Sequence, residues 1–204
     1  MPDMPGPLEF HPLTPERWPD LEVLFGPRGA CAGCWCMWWR LPRSQFERQR
    51  GEDNQRALKE IIETGQVPGI LAYAEGKPVG WVSVGPREAF PALERSRILA
   101  RVDEQPVWSV VCFYVARGFR RKGIMVPLLR AAVEYARGRG ARIVEGYPVE
   151  PRGKTSSAFL YTGLASAFRK AGFVEVTRRS ATRPIMRHYI KDEGGRTKED
   201  WAAS

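Results

Sequence analysis

No stretch constrains this chain more than Val107–Arg137, VWSVVCFYVARGFRRKGIMVPLLRAAVEYAR. Its first part, Val107–Val115, is dense in β-branched and aromatic side chains. Such residues suit a pleated, buried surface, so a central strand is expected there. Its last part carries Leu128, Leu129, Ala132, Val133 and Ala136 at i, i+3, i+4 spacing. That stripe predicts a helix entered near Pro127 and ended at Gly138 or Gly140. The run ARIVEGYPV, Ala141–Val149, predicts the following strand. A strand, a helix and a strand in this order form a right-handed crossover between parallel strands.

Elsewhere the pattern predicts antiparallel neighbours and covering helices. Leu8–Phe10 reads as a short first strand, and Thr14-Pro15-Glu16 opens a helix to about Phe25, with a capping hydroxyl and a first-turn proline. Gly26–Trp39 is irregular and rich in Cys and Trp. Ser44-Gln45-Phe46-Glu47 fits a capping box, and a helical pattern runs through Leu58, Ile61 and Ile62 to Gly65 with a break at Gly51. GILAYAE and PVGWVSVG predict a hairpin turning at Gly76-Lys77. Glu88–Arg101 has a weaker helical pattern, and Ser156–Ala171 a stronger one closed by Gly172. FVEVTRR and RPIMRHYI predict a last antiparallel pair. The expected organisation is one domain over residues 1–190 and a polar tail over 191–204.

The formal charge of +9 and the pI near 9.7 favour an anionic partner. The excess is local, because Arg117–Arg142 holds eight Lys or Arg and a single acid, Glu134. No zinc-finger spacing, RNA-binding strand signature or long basic arm accompanies it. A compact phosphate-bearing cofactor therefore fits better than sequence-specific nucleic-acid binding. The opening MPDMPGPLEFHPL has no basic stretch followed by an apolar run, and the apolar run around Pro106–Ala116 is too short for a bilayer. A cytoplasmic protein away from the membrane, with reduced cysteines, is expected.

Arg117-Gly118-Phe119-Arg120-Arg121-Lys122-Gly123 crowds four cations into seven residues between the strand and its helix. A helix N-terminus presents unpaired amides and the positive end of the helix dipole, and both attract phosphate. Gly123 allows the backbone to come close to a ligand. The turn is neither G-x-x-x-x-G-K-[ST] nor G-x-G-x-x-G, so neither of those nucleotide loops is expected.

The array resembles the GNAT acetyltransferase superfamily, whose acetyl-CoA turn carries [RQ]-x-x-G-x-[GA]. The matching residues are Arg120, Gly123 and Met125, and FRKAGFVEV (Phe168–Val176) resembles the family's helix end and next strand. The likeness spans about Leu8–Ile190. It implies an α+β (α/β/α) fold with a mixed, mostly antiparallel sheet, a splayed central parallel strand pair and flanking helices. It also implies acetyl-CoA as co-substrate. The pantetheine arm would lie along Phe113, Tyr114 and Val115 on one strand and Gly146–Pro148 on the other. The pyrophosphate would sit on the amides of Arg121, Lys122, Gly123, Ile124 and Met125, beside Arg120, and an amine would attack the thioester directly. Two positions depart from the family pattern: Met125 replaces a Gly or Ala, and Phe168 replaces the Tyr that protonates the leaving thiolate.

Tyr161, seven residues before Phe168 and so two turns back on the expected helix, and Tyr147, at a strand end, are the candidate acids. Each also reads as a packing tyrosine. The family places a Glu early in the central strand, near Ser109 here, yet Val107–Val115 has no carboxylate. Asp103, Glu104, Glu145 and Glu150 flank the site, and the base is left unassigned. Cys31, Cys34 and Cys36, with Cys112, lack the paired knuckles of a zinc site, so no metal is expected. Trp35, Trp38 and Trp39 cannot share one face of a regular element, and they either wall the acceptor site or close the core. The expected function is an acyl-CoA-dependent N-acyltransferase acting on an amine, with a homodimer admitted. The alternative is a non-catalytic module of the same fold that binds acyl-CoA or another anion.

Overall fold

The computed structural model describes residues 6–153, 156 and 159–191. Its strands are β1 (Leu8–Pro12), β2 (Gly69–Ala74), β3 (Lys77–Pro86), β4 (Trp108–Val115), β5 (Ile143–Gly146), β6 (Val174–Arg178) and β7 (Pro184–Tyr189). They form one sheet in the order β1-β2-β3-β4-β5-β7-β6. Every neighbouring pair is antiparallel except β4–β5. The mixed, mostly antiparallel sheet with a central parallel pair is therefore present.

Alternation along the strands sends side chains to two cores. Val82, Val84, Val110 and Phe113 face Leu128, Leu129 and Ala132 of α4 (Met125–Gly138) and Phe168 of α5 (Ala165–Lys170). Trp81, Val111 and Cys112 share the other core with Leu21 and Phe25 of α1 (Trp18–Phe25), Phe46 of α2 (Arg43–Arg48) and Leu58 and Ile62 of α3 (Glu52–Glu63). Helices thus cover both faces of the sheet.

One extra residue shapes its centre. Ser83 opposes Cys112 and Val84 opposes Val110, so Val111 bulges from β4. A bulge bends its strand and breaks the ladder locally. β5 pairs with β4 only through Trp108↔Val144, Ser109↔Glu145 and Val110↔Gly146. Beyond Val110, β4 stays with β3 as far as Gly80↔Val115 and leaves β5 behind. The splay of the parallel pair begins at the bulge.

Several local expectations change. The hairpin turns at Glu75-Gly76, both left-handed at φ 51° and 71°, with Ala74 opposite Lys77. The conformation of a type I′ turn follows the twist of the strands. The capping box at Ser44 does not form, because α2 starts at Arg43 behind Pro42 with no side-chain cap. Glu88–Arg101 is not a helix: a 3-10 turn at Arg87–Ala89 leads into a loop that wraps the buried Arg87, whose guanidinium donates to the Leu99 carbonyl at 2.9 Å. The helix expected from Ser156 is only α5, since Gly163 sits at φ +91° just ahead of it. Residues 154, 155, 157 and 158 of that expectation, and the tail from 192, lie outside the described residues.

Gly146 closes the paired part of β5, and a Cβ there would stand 2.1 Å from Phe168 Cε1. Gly146→Ala is expected to lower stability by about 1–3 kcal/mol through overpacking, read as a lower urea midpoint at unchanged slope.

Candidate functional site

The basic turn links the end of β4 to the start of α4. Arg121 and Gly123 both adopt left-handed conformations, φ 63° and 79°. Gly123 does so without strain, whereas Arg121 carries a Cβ into that region. Left-handed residues among right-handed ones turn successive amides toward one side, the geometry of an anion nest. Among the described residues the amides of Arg121, Lys122, Gly123, Ile124 and Met125 donate to no other group. Arg120 folds back, its Nε donating to the Val115 carbonyl at 2.9 Å and its guanidinium over the Tyr114 ring at 5.9 Å. Lys122 lies over Phe119 at 5.3 Å, while Arg117 and Arg121 are exposed. Met125 Sδ accepts the Leu164 amide at 3.5 Å, which ties this side chain to the start of α5.

Where β4 and β5 part, the chain spans the gap itself. The Phe113 amide donates to the Tyr161 carbonyl at 2.6 Å. The Val149 amide donates to Gly163 at 2.8 Å, and the Ala165 amide donates back to Val149 at 2.9 Å. Gly163 is required at this crossing: it is left-handed, and a Cβ would meet Phe168 at 2.8 Å and Phe113 at 3.0 Å. Tyr161 therefore precedes α5 and shares no helical face with Phe168, a correction to the expected helix. Its ring lies against the core that also holds Cys112. Burial raises its pKa, opposed by Arg183.

Tyr147 stands inside a buried polar network. Its hydroxyl donates to Glu145 Oε1 at 2.8 Å, lies 2.8 Å from Ser109 Oγ and accepts from Arg87 Nη1 at 2.7 Å. Glu145 also accepts from Arg87 at 3.1 Å and from Arg187 Nε at 2.7 Å, and Arg187 reaches Asp103 at 2.6 Å. Ser109, Glu145, Arg87, Tyr147 and Arg187 are all buried, and Ser109, Glu145 and Arg187 occupy one row across β4, β5 and β7. Burial, with the Glu145 charge beside it, pushes the Tyr147 hydroxyl far up. Arg187 holds Asp103 down at about 2. A carboxylate does lie beside Ser109, at Glu145 one strand over, but it is buried and paired with Arg87 and Arg187. Arg87 and Arg187 went unnoticed in the sequence. The signal for Arg187 was a charge in the middle of an apolar strand, RPIMRHYI. Glu150 is engaged at the surface by Arg169 at 2.7 Å, and Glu104 is exposed.

The Cys- and Trp-rich loop divides between core and surface. Cys36 Sγ donates to Cys112 Sγ at 3.5 Å and accepts from Trp81 Nε1 at 3.1 Å. Hydrogen bonding between neighbouring thiols, together with burial, raises the Cys34 and Cys36 pKa values. Among the described residues no three His, Cys, Asp or Glu are grouped to hold a metal. Trp35 is buried and stacks on Trp18 with ring centres 5.8 Å apart, and Trp39 is buried too. Trp38 keeps part of its surface, with its ring edge-on to Phe46 at 5.1 Å and Arg43 over it at 6.0 Å.

A bulged central strand thus parts from its parallel neighbour, with an amide-lined basic turn at its end. The profile of the Acetyltransferase (GNAT) family matches residues 35–161, and the chain belongs to that family. Among solved structures, a GNAT-family acetyltransferase from Streptococcus agalactiae 2603 is 11% identical, with a TM-score of 0.55 over 92% of this chain and 98% of that one. The PaiA N-acetyltransferase of Thermoplasma acidophilum, solved in complex with coenzyme A, is 16% identical with a TM-score of 0.50 over 90% and 99%. The ribosomal-protein-alanine N-acetyltransferase of Brucella melitensis is 18% identical with a TM-score of 0.50 over 89% and 99%. No curated protein matches the chain. No helix among the described residues is long and apolar enough to cross a membrane.

The buried network sets two expectations. Glu145→Leu removes the carboxylate shared by two buried guanidinium groups, leaving Arg87 with Glu94 and Arg187 with Asp103, so a loss of about 1–3 kcal/mol is expected in denaturant unfolding. Asp103 has a folded pKa of about 2 against an ordinary 3.8. Its pairing with Arg187 therefore stabilises the fold above pH 3.8 and is lost as pH falls through about 2. Asp103→Asn should flatten the stability profile in that window, measured by unfolding across acid pH.

Proposed function

We propose that the protein transfers an acyl group from acetyl-CoA directly to an amine. The observation that carries this reading is the gap between β4 and β5 opening onto five undonated amides beneath exposed arginines. A pyrophosphate on the amides of Arg121–Met125 would gain hydrogen bonds and the positive end of α4. Coenzyme A bound by the Thermoplasma acidophilum relative supports a CoA donor. In this reading the pantetheine arm follows Phe113, Tyr114 and Val115, and takes the Phe113 amide from the Tyr161 carbonyl.

Residues 1–190 form the catalytic unit. Tyr161 is the better candidate acid, because the Tyr147 hydroxyl is committed to Glu145 and fully buried. Trp38, partly open beside Cys34's loop, is the candidate acceptor wall, with Trp35 and Trp39 supporting it from the core. A ring with open area offers an amine both apolar contact and a cation–π face. Four free thiols, two of them 3.5 Å apart, suit a reducing cytoplasm.

Free CoA thiol should appear when the protein is incubated with acetyl-CoA and a panel of amines. Acetyl-CoA binding without thiol release from any of them would favour the non-catalytic module. Gly123→Asp adds a Cβ at φ 79° and a negative charge to the nest, so acetyl-CoA affinity measured by calorimetry should drop at least tenfold while the melting temperature falls by only a few degrees. Trp38→Ala should cost about 1–2 kcal/mol in acceptor kcat/KM and leave acetyl-CoA affinity alone. Equal losses for both ligands with a lower melting temperature would assign Trp38 to the core instead.

A further inference from the structure

At the opposite end of β4 from the basic turn lies a groove of about 330 Å³. Trp108, the first residue of β4, and Tyr135 and Arg139 near the end of α4 form one wall. Arg40, Pro68 and Val84 belong to the rest. Two guanidinium groups and no carboxylate line it. A cationic groove on this side shares no lining residue with the turn that precedes α4.

Arg40 is the unusual member. Its Nη2 donates to the Pro68 carbonyl at 3.2 Å, and its guanidinium sits over the Phe90 ring at 4.5 Å. Its Nε is buried with no hydrogen-bond partner, and among the described residues no carboxylate pairs with it. Burial pulls its pKa down to about 10, so it is still charged at neutral pH. Arg40 borders the groove with no carboxylate of the protein beside it, and a guanidinium in that position suits a planar acid. Apart from Gln66 the remaining walls are mostly apolar and aromatic: Trp108 meets Tyr135 edge-on at 6.0 Å, and Arg139 covers the Tyr135 face at 5.1 Å.

We infer that this groove is a second ligand site, for a small carboxylate carried on an apolar body. Its volume corresponds to roughly ten waters, enough for an aromatic or alicyclic monoacid. The carboxylate meets Arg40 and Arg139, and the ring lies between Trp108, Tyr135 and the prolines. A free phosphate finds the same cations, but it has nothing to bury against those walls, so the apolar lining favours the carboxylate.

Thermal unfolding and calorimetry of the full chain with benzoate, cyclohexanecarboxylate and inorganic phosphate, at constant ionic strength, test this. The two carboxylates should raise the melting temperature in a saturable way and phosphate should not. Arg40→Lys keeps the charge and removes the fork, so benzoate affinity should fall about tenfold, one unit of 1.4 kcal/mol. Arg139→Ala, an exposed substitution on the groove rim, should also weaken benzoate and keeps the test open if the Arg40 variant fails to fold. No saturable benzoate binding, equal binding of phosphate, or benzoate binding unchanged in the variants that fold would each overturn the inference. Acetyl-CoA binding should be unaffected by Arg139→Ala, which separates failure here from failure of the donor site.

Discussion

The bulge at Val111 is the constraint on which the centre of the molecule depends. A strand in register with both neighbours would be sealed along its whole length, and nothing could reach its backbone. The extra residue lets β4 keep β3 to its end while releasing β5 after three paired positions. It also puts Val111 and Cys112 on the same side, so the surface beyond the bulge differs from a simple alternation. The gap and the change of face are one event. The turn and α4 continue the released end of β4, which is why the undonated amides open at the gap.

The paired half is held with equal firmness. Ser109, Glu145 and Arg187 form a polar row across three strands at the level where pairing persists, closed by Tyr147 and Arg87. Buried charge clusters of this kind add little net stability over apolar packing, yet they are costly to misalign because each partner left alone is a stranded charge. Register between β4, β5 and β7 is favoured by this row: a one-residue slip would flip Glu145 into the opposite, mainly apolar core. A hydrogen-bonded polar row therefore stands directly below the point where β4 and β5 part.

Much of this was legible in the sequence because it is local. The apolar run at Trp108–Val115, the stripe from Leu128 to Ala136 and the turn between them follow from periodicity and glycine placement, and the strands agree within a few residues. What was illegible depends on distant partners. Glu88–Arg101 has helical propensity, but Arg87 needs the Leu99 carbonyl and Glu94, and satisfying a buried guanidinium outweighs propensity. Tyr161 reads as helical until Gly163 is seen crossing between Phe113 and Val149. The Trp-rich loop contains Ala30, Ala32, Trp35 and Cys36 at positive φ, conformations that no pattern of these residue types announces.

The carbonyl of Tyr161 on the Phe113 amide has a consequence for how selectivity is distributed in such a cleft. That amide is already satisfied before any visitor arrives. A guest that takes it exchanges one carbonyl for another, an almost even trade in free energy. The gap can therefore check the shape and spacing of a guest while contributing little to how tightly it is held. Under the proposed donor reading, tightness comes from the basic turn, whose amides begin with no internal partner to give up. Recognition along this strand would then be divided by position: inspection at the bulge, retention at the helix end.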